Sequence, residues 1–442
     1  MIKRFIRRVF GLPSEAVLRV PREKHGLTRD RLSPAAAKVC SVLREAGFSA
    51  YVVGGAVRDL LLGIPPVDFD IATDARPEQV KPLFRRALLI GRRFRLVHVM
   101  LGPETVEVAT FRSADGDTSE KDEHGRVLRD NVFGTLEGDA ARRDFSVNAL
   151  YYDPATEEVV DFHGGLADLK KRVMRVIGDP ETRYREDPVR MLRGVRLAAK
   201  LGLRLDADTR EPIRELAPLM ERVPPARLFD EMLKLLLSGH ASACLRQLRE
   251  VGLHKGLLPL LDVILEQPLG ERFVTLALAQ TDERVRTERP VSPAFLFAAL
   301  LWHEVLAAWK ARQARGERGI PALETAMDEV LDTQCAKLAI TRRLTATMRE
   351  VWAMQPRFDG RSGNRAYRLL EAPRFRMAYD FLALRAASGE VPAELEAWWR
   401  GFQAADPDTR KAMLLPDTGP KKRRRRRRKK GPAGEAPSPD AA

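Results

Sequence analysis

Polar and apolar positions along this chain repeat with two different periods. SPAAAKVCSVLREAG (33–47) places its apolar residues on one helical face and stops at Gly47, whereas SAYVV (49–53) reads as a strand. VRDLLLG then predicts a short helix ended by Gly63, VDFDIAT (67–73) a strand, and RPEQVKPLFRRA (76–87) a helix. RLVHVML (95–101) and ETVEVATF (104–111) predict two further strands. This order predicts an α+β domain with one mixed sheet over about residues 22–165. The polar, glycine-rich stretch 113–141 predicts a long loop. Beyond residue 166 strand signals stop, and helical periodicity predicts an all-α neck (166–225) and body (226–405). Within the body, PAFLFAALLWHEV (293–305) is apolar nearly all round and predicts a buried central helix. Residues 1–21 read as a basic N-terminal extension and 406–442 as a disordered basic tail.

Composition narrows the class. Of 442 residues, 44% are hydrophobic and 31% charged, enough for several domains with a sizeable core. The apolar run in MIKRFIRRVFGLP is too short and broken for a secretory signal, and no transmembrane helix is expected. Three widely spaced cysteines, Cys40, Cys244 and Cys335, argue against a cysteine zinc site or a disulfide framework and fit a reducing cytoplasm. The net charge of +15 is dominated by KKRRRRRRKK (421–430), which includes Arg423, Arg424 and Arg425. Such a block repels itself, and its natural partner is a polyanion such as RNA, with an anionic membrane surface as the alternative.

The candidate chemistry starts at Asp68 and Asp70, either side of Phe69. In a strand both acids face one way, and two like charges this close raise each other's pKa unless a cation sits between them. A bare DxD is more often an edge strand facing water. Its context is unusual, however. Upstream, VVGGAVRDLLLG (52–63) puts Gly54-Gly55 at a strand-to-helix turn, where backbone N–H groups can approach a phosphate.

Together GGAVRDLLLG…VDFD closely resembles the head motif of class II nucleotidyltransferases, the tRNA CCA-adding enzymes and bacterial poly(A) polymerases. Further motifs follow in family order. ARRDFSVNALYYD (141–153) matches RRDxxxNAL, and GDPETRYREDPVRMLRG (178–194) matches GDPxxR and EDxxR. Ser146-Val147 and Gly194 are the only variations seen within these motifs. The resemblance implies a pol β-like head, a helical neck and a helical body, covering about residues 20–415. It implies that Asp68 and Asp70 hold two Mg²⁺, with Glu107 as a third acid. Gly54, Gly55, Arg58, Arg143, Asp144 and Asn148 would contact the nucleotide, and Glu186, Asp187 and Arg190 its base. Physically, Asp187 can cap a helix with Pro188 at its first position, setting a carboxylate near the Arg190 guanidinium. Arg193 and Arg196 continue one stripe suited to RNA phosphate.

LIGRRFRLVHV (89–99), LRDNVFGTLEGDAARRDF (128–145) and the basic tail resemble the bacterial poly(A) polymerase branch. The implied activity is template-independent addition of AMP from ATP to RNA 3′ ends, with RNA-decay machinery as a partner. A CCA-adding enzyme and a catalytically idle RNA-binding protein are the competing readings. Seven scattered histidines give no phosphohydrolase HD domain.

Overall fold

The computed structural model describes residues 17–91, 95–113, 120–121, 127–129, 133–254 and 268–416. The tail run 421–430, and Arg92 and Arg93, lie outside the described residues.

The head is one eight-stranded sheet. Its strands are β1 (Leu18–Val20), β2 (Ala50–Val53), β3 (Asp70–Thr73), β4 (Ala87–Ile90), β5 (Leu96–Leu101), β6 (Glu104–Thr110), β7 (Leu150–Asp153) and β8 (Glu158–Asp161). They lie in the order β1-β8-β7-β2-β3-β6-β5-β4. Only the β3–β6 pair is parallel; the others are antiparallel. One face packs against helix α1 (Pro34–Glu45), whose Val39, Cys40 and Leu43 meet Val52, Ile71, Val97, Val99, Val106 and Val108. Ser33 caps α1 by accepting from the Ala36 N–H. β2 runs straight into helix α2 (Gly55–Leu61).

Five sequence expectations are corrected here. β3 begins at Asp70, where pairing with Val53 begins, so Asp68 and Phe69 precede the strand. Residues 76–87 are not one helix. A single turn over Pro77–Val80 passes into a 3₁₀ turn over Lys81–Leu83, and Ala87 is drawn into β4 by pairing with Val99. The stretch 113–141 is not all loop: helix α3 (Leu136–Arg142) starts where Thr135 Oγ1 accepts from the Gly138 N–H. Residues 18–20 belong to the sheet as edge strand β1, not to an extension. Strands also persist beyond residue 166, where Val173–Met174 pairs in parallel with Arg204–Leu205. These pieces are too short to show a period in the sequence.

The helical half runs through α4 (Pro180–Glu186), α5 (Val189–Leu201), α6 (Pro225–Leu236), α7 (Ala241–Val251), α8 (Pro268–Arg286), α9 (Pro293–Ala314), α10 (Gly319–Cys335), α11 (Arg342–Met354), α12 (Phe375–Ser388) and α13 (Ala393–Ala404). α9 is the expected central helix. It is long and apolar enough to cross a membrane, yet it is packed against α8, α10, α11 and α12, with Leu296 to Trp302 buried. A further correction falls at residue 406: Asp406 caps helix α14 (Pro407–Met413), so ordered structure continues into the stretch read as tail. α12 is two-sided. Phe381 and Leu384 join the main core, while Phe375, Ala378 and Leu382 join a second cluster with Phe358, Leu369, Trp399 and Phe402.

Candidate active site

The register of the sheet sets up the site. Tyr151, Val53, Asp70, Glu107, His98 and Leu88 are paired directly across β7, β2, β3, β6, β5 and β4. Directly paired residues share a face, so these six form one row on the side of the sheet opposite α1. Phe69 is buried in the core beneath, while Asp68 is exposed. Burial pushes the Asp70 carboxyl up to about 6, and the Glu107 and Asp68 charges push the same way against the pull of Arg143. Glu107 also lies 3.1 Å from His98 Nε2.

Asp68, Asp70 and Glu107 offer hard oxygen donors whose mutual repulsion Arg143 only partly offsets at Asp70, and that chemistry fits a divalent cation such as Mg²⁺. Among the described residues, no three His, Cys, Asp or Glu side chains already converge as a metal site.

The Gly54-Gly55 turn is constrained from two sides. Gly54 has φ 75° and ψ −129°, open only to glycine, and a Cβ there would lie 3.2 Å from Arg143 Nη1. Arg58, expected at the nucleotide, is turned into the protein. It is only 5% exposed, donating to Asp59 Oδ1 at 2.8 Å and to Asn148 Oδ1 at 2.5 Å. Its role here is to hold Asn148.

Arg143, whose charge pulls on Asp70, belongs to a bank of arginines. Arg143 leaves the end of α3 and stacks over Tyr151, 5.2 Å from the ring. Arg143 donates to the Tyr151 hydroxyl at 3.0 Å and to Asp139 Oδ2 at 3.2 Å, and the same hydroxyl donates to Asp139 at 2.6 Å. Burial opposes its charge, but Tyr151 and Asp139 overcome that and hold the guanidinium firmly protonated. Burial pushes Arg142 down to about 10, helped by Arg112, Arg183 and Arg190. So many cations, packed closely enough to repel, form a polyanion site. Arg183 secures the bank by donating to the Arg142 and Arg143 carbonyls, each at 2.8 Å.

Asp144 and Asn148 join the turn to the neck. Asn148 Nδ2 donates to Asp144 Oδ1 at 3.0 Å, and Arg193 donates to Asp144 Oδ2. Arg193 and Arg196 therefore do not form a free phosphate-binding stripe: Arg193 is committed to Asp144, and Arg196 lies 3.6 Å from Glu231 on α6.

At EDxxR the expected pairing also changes. Asp187 does not cap α5. Extended ahead of Pro188, it separates α4 from α5, and Oδ2 accepts from Arg227 on α6 at 2.7 Å. Arg190 instead donates to Glu186 at 3.1 Å and to the Arg183 carbonyl at 2.7 Å. Asp187 Oδ1 is buried without a hydrogen-bond partner and is thus an acceptor awaiting a donor. Asp139, Tyr151 and Arg227 were not singled out from the sequence, and Arg183 entered only as the arginine of GDPxxR. Asp139 also carried a signal, four residues before Arg143 on one helix face. Two cavities of about 550 Å³ lie elsewhere, one beside Arg214 and His254 and one between Phe295 and Met377. Neither includes the acids or the arginine bank.

Comparison with known proteins identifies the family. Residues 50–175 match the "Poly A polymerase head domain", 202–265 the "Probable RNA and SrmB- binding site of polymerase A", and 315–431 the "Polymerase A arginine-rich C-terminus". Poly(A) polymerase I of Salmonella typhi is 49% identical over 407 residues, covering 89% of this chain and 88% of that protein. A CCA-adding enzyme of Streptococcus pneumoniae is 42% identical over 200 residues, 45% of this chain and 49% of that protein. The crystal structure of the Bacillus stearothermophilus CCA-adding enzyme in complex with CTP superposes with a TM-score of 0.57 at 27% identity, covering 84% of this chain and 82% of that one. The likeness to CCA-adding enzymes is thus strong in part of the sequence, whereas the likeness to poly(A) polymerases spans nearly all of it. This chain belongs to the bacterial poly(A) polymerase family of nucleotidyltransferases.

Proposed function

We propose that this enzyme adds AMP from ATP to RNA 3′ ends without a template. The observation that carries the reading is the opposition of two unbalanced charge clusters. Asp70, held up near 6 by burial and its acidic neighbours, feels the pull of Arg143, beside which Arg112 and Arg142 stand, Arg142 lowered to about 10 by burial and then by its arginine neighbours. A triphosphate with its cation relieves both at once.

Asp68 and Asp70, with Glu107 alongside, would hold Mg²⁺. Bound there, the metal would acidify the RNA 3′-hydroxyl and offset charge on the triphosphate. The chain's own groups orient the reactants. Arg143, fixed by Tyr151 and Asp139, and its neighbouring arginines bind the triphosphate; Asn148 and Asp144 position the ribose. Asp187 Oδ1 accepts from the adenine amino group while Arg190 and Glu186 flank the base. The 3′-oxygen attacks the α-phosphorus in line, its proton passes to solvent, and the bond from the α-phosphorus to the bridging oxygen breaks, pyrophosphate leaving with the electron pair.

The test is incubation with Mg²⁺, generic RNA or truncated tRNA, and ATP with CTP. Long A tails on either RNA are expected. Addition confined to CCA on tRNA would establish the alternative product, and no incorporation would refute the enzyme reading.

A further inference from the structure

The row that contains Asp70 has two ends, and only one is accounted for. At the β7 end stand Tyr151 and, stacked on it, Arg143. At the β4 end stand Glu107, His98 and Leu88. On β5 the alternation is clean: Val97 and Val99 are buried in the core, while Leu96, His98 and Met100 remain half-exposed on the row's face. Leu88 and Ile90 on β4 are 53% and 39% exposed. None of Leu88, Ile90, Leu96 or Met100 joins the packed clusters of the head. Among the described residues β4 has no outer strand partner. An apolar plateau therefore runs outward from the catalytic acids to the sheet edge. Arg85 and Arg86 are exposed at one end of β4, and Arg95 is exposed near the other, bonded to Glu78.

In-line displacement requires the nucleophile and the leaving pyrophosphate on opposite sides of the α-phosphorus. The triphosphate belongs with the arginine bank at the Tyr151 end, so the attacking hydroxyl must arrive from the Glu107 end. From Asp70 to Leu88 is three strand spacings, roughly 14 Å, room for two or three nucleotides. We infer that the plateau of Leu88, Ile90, Leu96, His98 and Met100 is the seat of the last nucleotides of the RNA primer. Their bases lie on the open sheet face, and their phosphates run toward Arg85 and Arg86. This deepens the proposed function and rests on it.

The test uses the full chain with an oligo(A) primer. Replacing Leu88 and Ile90 together by Ser removes apolar surface at exposed positions without adding charge. The primer KM is expected to rise by about tenfold, the value of one lost base contact, while the ATP KM stays unchanged. Leu88→Met with Ile90→Leu restores the wild-type primer KM. A 4-thiouridine one nucleotide from the primer's 3′ end is expected to crosslink within residues 87–90 or 96–101. An unchanged primer KM with crosslinks confined to the helices overturns the inference and leaves the proposed function standing. If the Ser variant instead splits a dimer at unchanged primer KM, the face is a contact between copies of this chain, and the inference fails. A wild-type chain that adds no nucleotide refutes the parent reading and this one with it.

Discussion

Arg193 donates through both Nε and Nη2 to a single oxygen of Asp144, at 3.0 and 2.6 Å. The other oxygen accepts from Asn148 Nδ2 and from the Phe145 N–H. Burial alone would raise this carboxyl, but the Arg193 charge and these donors outweigh it and hold it below the usual range. The pair joins the catalytic head to the first long helix of the neck.

Arg193→Ala is expected to destabilise the protein by about 3–5 kcal/mol at pH 7, because it strands a buried charge. In the wild type, stability from the depressed Asp144 is present above pH 3.8 and lost as pH falls through the lower folded value. In the variant the sign reverses: a buried, unpaired carboxylate titrates high, so acidification stabilises. Thermal unfolding from pH 8 down to pH 3 reads both, and a variant whose Tm drops on acidification below pH 4 as the wild type does would contradict the assignment.

Asp70→Asn is expected to make the cation-free protein more stable and the enzyme inactive. The folded carboxyl titrates near 6 against 3.8 unfolded, so folding is favoured below about pH 4 and progressively penalised as pH rises through 6. Removing the charge should recover about 1–3 kcal/mol at pH 8 and nothing at pH 4. Incorporation should fall by on the order of 10³-fold or more, with RNA affinity kept. Calorimetry paired with a primer-extension assay decides it; equal Tm values at pH 8 would refute the charge strain.

Arg227→Ala should loosen base selection without disabling phosphoryl transfer. Arg227 holds Asp187 Oδ2, and without it both carboxylate oxygens are free to turn. The expected loss is about tenfold in the preference for ATP over CTP, the value of one buried hydrogen bond to a charged group. Competition kinetics with the two nucleotides measure it. An unchanged ratio would remove Asp187 from base recognition.

Gly54→Ala combines two penalties. The backbone is in a region closed to L-residues, which costs about 1–3 kcal/mol, and the added methyl presses on Arg143 Nη1. KM for ATP should rise more than the loss of stability alone explains. Saturating ATP in a thermal-shift titration separates the two, since a purely structural defect leaves the nucleotide-dependent shift at its wild-type size.

Much of this was readable along the chain, and the failures have a common cause. α1, β2, β5, β6 and α9 were legible because each shows its own periodicity or continuous apolar run. Glu107 followed from the family resemblance, as a third acid on a neighbouring strand, and the structure pairs it directly with Asp70. The start of β3 was misread because Asp68-Phe69-Asp70 alternates as a strand does, while the register that begins the strand is set by Val53. The pairings of Arg58, Arg193 and Asp187 were not legible for another reason. Their partners Asn148, Asp144 and Arg227 lie 90, 49 and 40 residues away, and no local pattern encodes which distant group will neutralise a buried charge.

The cluster around Phe358, Phe375, Trp399 and Phe402 is small and separate from the core beneath the sheet. It also lies just ahead of the arginine-rich run in the chain. A unit with so little buried area should melt as its own foldon, pivoting on α12. Mild heating would then loosen the C-terminal helices while the sheet and its acids stayed folded, so that the first transition on warming need not coincide with the loss of catalysis.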